Sequence, residues 1–135
     1  MASVLTEVVN YLATELSLTA GTNLFETILP DTPDAAMAVE ETGGAPPERQ
    51  FGSTAAAFEF PSIRVICRAG ANDYNTPRAQ AKTAWEKLLE ITPQSTLGST
   101  KYQFVTPMQS PFEIGRDSKD RVIIGFNCNV QKDPS

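Results

Sequence analysis

Apolar residues recur along this chain with two different periods, and the changes from one to the other mark out its elements. Val4, Val8, Leu12 and Leu16 stand four apart with Leu5 and Val9 beside them, while Glu7, Asn10, Thr14 and Glu15 fill the remaining positions. That spacing predicts an amphipathic helix over residues 3–17, capped by Ser3, ended at Gly21 and docked on a sheet. Its polar face carries no Lys or Arg, which argues against a membrane-surface role. A second helix is predicted from Pro77 to Ile91. Thr76 is its cap, Pro77 suits the first helical position, Pro93 closes it, and Ala81, Ala84, Trp85, Leu88 and Leu89 form its apolar stripe.

Elsewhere the period is two. Arg121 to Gln131 alternates most clearly, with Val122, Ile124, Phe126, Cys128 and Val130 on one side and Ile123, Gly125, Asn127 and Asn129 on the other. Phe60 to Arg68 sets Ile63, Val65 and Cys67 against Arg64, Ile66 and Arg68, with Pro61 at its start, where a missing donor does least harm. Lys101 to Val105 also alternates, which puts Tyr102 and Phe104 on a shared face. Ala36 to Glu41 reads as a strand of modest propensity.

The segment between the first helix and these strands is distinctive. Asn23-Leu24-Phe25 leads to Leu29-Pro30-Asp31-Thr32-Pro33-Asp34, then to Glu40-Glu41-Thr42-Gly43-Gly44. Leu24, Phe25, Ile28 and Leu29 are apolar enough to be expected on the core, and the two glycines allow a backbone that other residues resist. Two long loops are expected, at about 43–58 and 106–120, the second including the short apolar Phe112-Glu113-Ile114. Loops of such length in one compact domain tend to be functional or disordered. The tail from Lys132 is expected to fray.

A length of 135 residues fits a single domain spanning 1–135. No apolar run approaches a membrane span. Glu7 and Glu15 interrupt the N-terminal apolar stretch and no base precedes it, so it does not read as a signal peptide; a cytosolic chain is expected. Cys67 and Cys128 both fall with apolar positions of strands, which points to buried free thiols rather than a disulfide. The absence of histidine removes the commonest general base and zinc ligand, and with them every Ser-His or Cys-His pair.

Charge is divided unevenly. Residues 1–60 hold nine acids and one base, for a net −8, and residues 61–135 hold seven acids and ten bases, for a net +3. Two readings stay open: solvated faces, or unlike faces that meet when copies associate head to tail.

The motifs that could carry chemistry are incomplete. Gly43-Gly44 lacks the lysine of a phosphate loop, and Glu40 and Glu41 beside it would repel phosphate. Those two glutamates are adjacent on a strand, so their carboxylates diverge and make no acid/base pair. Asp117-Ser118-Lys119-Asp120 lacks calcium-loop spacing, Gly52-Ser53-Thr54 has no partner base, and Trp85 reads as core. Arg64, Arg68, Arg78, Lys82 and Arg116 could form a patch, but a chain of pI about 4.7 is a poor polyanion binder. No enzyme, cofactor or metal is implied, and a carboxylate-dependent hydrolase ranks last because no cleft of acids is evident. The long loops are left as places for function.

With these motifs placed, the chain resembles the tail terminator (tail completion, or minor capsid) proteins of long-tailed bacteriophages. The residues that carry the resemblance are the N-terminal helix, Asn23-Leu24-Phe25, Leu29-Pro30 and Glu41-Thr42-Gly43-Gly44. Then come Ser62-Ile63-Arg64-Val65, the Ala79–Leu89 helix, Pro111-Phe112-Glu113-Ile114-Gly115-Arg116-Asp117 and Arg121-Val122-Ile123-Ile124-Gly125-Phe126-Asn127. The resemblance implies an α+β, sandwich-like subunit, with two helices on one face of a twisted, mixed but mainly antiparallel sheet of four to five strands. It also implies a virion protein that assembles in the host cytoplasm as a ring, usually a hexamer. Such a ring stops tail-tube polymerisation and joins the tube to the neck, and DNA passes through it without specific binding, as an acidic lumen would suit. The implied partners are further copies, the tube protein and a neck or head-closure protein; a neck adaptor without terminator activity is the alternative. Subunit contacts are expected between Glu40, Glu41 or Glu48 and Arg64, Arg68 or Arg78 of a neighbour. Arg49, Gln50, Phe51, Phe112, Arg116 and Lys119 are expected on partner-binding loops that order on docking.

Overall fold

A computed structural model describes residues 3–49, 56–91 and 95–133. The chain runs α1 (Val4–Leu16), β1 (Leu24–Glu26), β2 (Ala36–Arg49), β3 (Ala56–Ala71), α2 (Asn75–Leu89), β4 (Ser95–Leu97), β5 (Thr100–Pro107), β6 (Phe112–Arg116) and β7 (Arg121–Lys132). The strands form a single sheet in the order β1-β2-β3-β7-β5-β4, with β6 also paired to β7. β1 lies parallel to β2 and the other pairs are antiparallel. The mixed α+β character and the two helices are as expected, but among the described residues the sheet has seven strands rather than four to five. The additional strands, β1, β4 and β6, are only three to five residues long. Segments that short carry too few alternations to show a period.

Ser3 caps α1 by accepting the Thr6 N–H at 3.2 Å, and the helix ends at Ser17, in a left-handed conformation (φ 55°), four residues before Gly21. α2 starts two residues earlier than predicted. Thr76 is inside it, and the Asp73 carboxylate accepts the Thr76 N–H at 3.1 Å. Its burial falls on Pro77, Ala81, Ala84 and Leu88, whereas Leu89 is exposed. Trp85 is half-buried, donates its indole N–H to the Gln109 carbonyl at 3.0 Å, and has the Lys82 ammonium 3.9 Å above its ring.

Both helices cover the face that carries Met37 and Val39 of β2, Ile63, Val65 and Cys67 of β3, and Val122, Ile124, Phe126, Cys128 and Val130 of β7, in one continuous core. The period-two reading of β3 and β7 holds throughout. It fails in β5, where the register shifts between Tyr102 and Phe104. That irregularity turns Phe104 outward, 45% exposed, while Tyr102 and Val105 are buried. Lys132 is no frayed tail; it lies buried at the end of β7, opposite Tyr102 and Glu59. Cys67 and Cys128 are free and buried, and pair with Ile124 and Ile63 respectively. Four residues, roughly 13 Å, therefore separate them along the sheet, beyond disulfide reach.

Much of the segments read as long loops is strand. β2 continues through Gly43-Gly44 to Arg49 and pairs with β3 from Ala56, and 106–120 contains β6. The diglycine sits within a bulge of the ladder, not at a strand exit. The register shifts between Glu41 and Gly43, Gly43 takes φ +85°, and any side chain on Gly44 would collide with the Phe60 carbonyl. A Pro-containing strand survives here because the ladder is already irregular.

Candidate functional site

Beyond the core, the polar chemistry of the described residues collects in three places: a clamp on the 28–35 segment, the sheet face opposite the helices, and a cavity beside α1. The clamp is the most elaborate. The buried Arg121 guanidinium donates to Asp117 Oδ2 at 2.7 Å, to Asp34 Oδ1 at 2.8 Å, and to the Asp31 carbonyl and Oδ1 at 2.7 and 2.9 Å. Buried Arg68 donates to the carbonyls of Pro30, Pro33 (2.6 Å) and Asp34 (3.0 Å). Lys119 Nζ adds an ion pair to Asp31 Oδ2 at 2.7 Å.

Proline-rich, strandless chain has few ladder partners for its carbonyls, and the two arginines supply donors in their place. Burial by itself would lower Arg121, but its three aspartate partners hold it above the ordinary arginine value. Arg68 is lowered, first by burial and then by the charge of Arg121. The Lys119 hydrogen bond is the main cause that holds Asp31 below the usual carboxylate range. In Asp117, burial pulls upward, and N–H donors from Arg121 and Lys119 outweigh it to leave the carboxyl lowered. The clamp thus gathers three acids and three bases, and is internally neutralised. Leu24 alone of the Leu24, Phe25, Ile28 and Leu29 group is fully buried, and Ile28 is 68% exposed; the arginines hold this segment where apolar anchoring was expected.

On the sheet face away from the helices, register places residues in rungs. Glu40, Arg64 and Asn127 form one: Arg64 donates to Asn127 Oδ1 at 3.0 Å and pairs with Glu40 Oε1 at 3.4 Å. The next holds Ala38, Ile66, Gly125 and Phe112. Phe112, Ile114, Phe104 and Met108 of β5, β6 and the turn between them are exposed.

The expected interface residues therefore separate. Glu40 and Arg64 do meet, but within one chain. Arg68 lies inside the clamp, where no neighbour reaches it. Glu41 is exposed beside the bulge, and Arg78 is half-buried on α2 with no ion-pair partner among the described residues. Glu48 and Arg49 lie in the β2–β3 hairpin opposite Phe58 and Ala56. Gln50 and Phe51 fall outside the described residues, as do Gly52-Ser53-Thr54, Pro93 and the last two residues. Of the second group, Phe112 is on β6, Arg116 reaches Asn72 Oδ1 at 3.3 Å, and Lys119 belongs to the clamp. The Asp117–Lys119 turn is already ordered by its own hydrogen bonds.

Sequence reasoning missed Glu7. It falls among the polar positions of the predicted helix, yet it is 2% exposed, and its Oε1 accepts the Tyr102 hydroxyl at 2.9 Å. Burial, and then that hydrogen bond, push the Tyr102 phenol up. The signal was its helical position between Val4 and Tyr11, three residues before it and four after, on the flank of the apolar stripe.

A family model described as bacteriophage tail terminator protein matches residues 11–134. The chain belongs to that family. The match covers every element from the second half of α1 to the end of β7. It gives this terminator family member a structural role in the phage tail and makes it a virion tail component. No curated protein matches the chain. Among the described residues, no acidic and sulfur side chains converge so as to hold a metal ion, and no helix is long and apolar enough to cross a membrane.

Proposed function

We propose that the chain forms a ring of identical subunits, a hexamer, which seats on the end of the tail tube, stops further tube addition and connects the tail to the neck. The observation that carries this reading is the terminator family match over residues 11–134. The placement of charge supports it. Arg78, Lys82, Lys101 and Arg116 have no carboxylate partner among the described residues, while Glu15, Glu26 and Glu41 have no cation. Such unlike charges suit the heterologous contacts by which a rotation closes into a ring. Arg78 against Glu41 or Glu48 of a neighbour remains a pairing of this kind; Arg68 is withdrawn from it by its burial.

The stretch of Glu48, Arg49, Gln50 and Phe51, and the exposed Phe112 edge, are the surfaces proposed to meet tube and neck. Passing DNA would meet an acidic lumen without being held. Electron microscopy of tails assembled without this protein tests the reading. Overlong tails are expected; tails of normal length beside unattached heads would overturn it in favour of a neck adaptor.

A further inference from the structure

Glu7 leads to a site of its own. Its Oε1 accepts from Tyr102, but Oε2 has no hydrogen-bond partner among the described residues, though the side chain is 2% exposed. A buried carboxylate oxygen without a donor is costly to keep, so native structures rarely do. This one borders a cavity of about 350 Å³ between α1 and the β4–β5 hairpin, lined also by Asn10, Tyr11, Thr14, Glu15, Thr96, Leu97 and Gly98.

Among the described residues the lining contains a second carboxylate and no cation. Tyr11 has its hydroxyl proton committed to the Lys87 carbonyl at 2.6 Å, and so offers the cavity only an acceptor. Its phenol is raised by burial and then by the charges of Glu15 and Glu90, which marks the negative field here. Two bases lie nearby: Lys87 pairs with Glu90 at 3.6 Å, and the exposed Lys101 stands opposite Thr96 across the β4–β5 hairpin. Leu97 and the Tyr11 ring supply apolar wall. Gly98 completes it in a two-residue turn at φ +61°, where a Cβ would lie 2.9 Å from Glu7 Oε2 and crowd it. The cavity is at the small end of the roughly 300–1,000 Å³ usual for ligand sites. That is room for one long side chain.

We propose that this cavity receives a lysine or arginine side chain of a second copy of this chain, with the methylene stem along Leu97 and Tyr11 and the cationic head directed at Glu7 and Glu15. The distribution of charge along the chain selects the source. Ten of eleven bases lie after residue 60, four of them are exposed or half-exposed without an ion-pair partner among the described residues, and α1 has no base at all. The choice of a second copy rests on the ring reading; the cation chemistry of the cavity does not.

Titration of the dissociated protein with ethylguanidinium, followed by amide NMR, tests the cavity. Saturable shifts at Thr96 and Gly98 are expected, beyond those from equal sodium chloride. Glu7→Gln, which keeps an acceptor for Tyr102, should weaken binding at least tenfold. Thr14→Lys at the exposed rim, remote from the Glu7–Tyr102 bond, should block it in the same way. Absence of saturable shifts, or binding indifferent to both variants, overturns the site whatever the assembly state. Sedimentation velocity then tests the source. Both variants should weaken self-association at least tenfold, and probe binding lost with association unchanged would refute the second copy as occupant. Normal tail length in the deletion, with this association intact, would refute the terminator role and leave the contact standing.

Discussion

Glu7, Tyr102 and the two cysteines show how burial, not residue type, sets behaviour at single positions. Tyr102→Phe takes the donor from Glu7 Oε1 and leaves a buried carboxylate with no partner among the described residues. A loss of about 1–3 kcal/mol in denaturant-measured stability is expected. Glu7→Gln keeps the acceptor and removes the buried charge, so its denaturation midpoint should equal or exceed that of the unchanged protein. An opposite order of the two variants would show that Glu7 has another donor. Burial pushes Cys128 up to about 12 and Cys67 further still. Thiolate reagents at pH 8 should therefore label neither cysteine until the chain unfolds. Raised folded values mean that these groups favour the fold fully below about pH 8.5, the unfolded thiol value. That contribution declines as the pH climbs toward the folded values, so melting temperature should fall through the alkaline range.

At the scale of elements, the clamp is the connection most open to test. Arg121→Met would leave Asp31, Asp34 and Asp117 facing one another without their shared cation. Hydrogen exchange at Thr27–Met37 and Asp117–Arg121 should quicken at least tenfold, while amides of the β3–β7 ladder change little. Equal quickening everywhere would mean that the clamp holds the whole fold. Asp31 and Asp117 are lowered in the folded state. Their contribution is thus present above about pH 4, the ordinary aspartate value, and is lost as pH falls through their lower folded values. Exchange in this segment should be flat from pH 7 to 5, after correction for intrinsic rates, and rise only in stronger acid. Gly44→Ala would meet the Phe60 carbonyl; limited proteolysis should then cut the β2–β3 hairpin sooner, and an unchanged cleavage rate would show that the bulge can relax.

For the whole molecule, the charge division is the property that matters. Charge reversal at Arg78, Lys82 and Lys101 together should weaken self-association and invert its salt dependence, because salt screens the attraction in the unchanged protein but the repulsion in the variant. Sedimentation at 50 and 500 mM salt would read this directly. Indifference to both the reversal and the salt would place the subunit contact on the exposed apolar edge of Phe104, Met108, Phe112 and Ile114 instead.

The sequence by itself determined both helices, the four long strands, the inward face of β3 and β7, the free state of the cysteines and the family resemblance. These follow from short-range periodicity, which any eight-residue stretch can display. The tertiary structure decided what depends on partners distant in the chain. Arg68 and Arg121 meet Pro30 to Asp34 from about 35 and 90 residues away, which converts expected interface and turn residues into a clamp. Tyr102 reaches back 95 residues to bury Glu7. Register shifts turned Phe104 outward and placed the diglycine within a strand rather than after one. A polar residue beside an apolar stripe looks the same whether water or another strand lies next to it, and only the folded chain settles which.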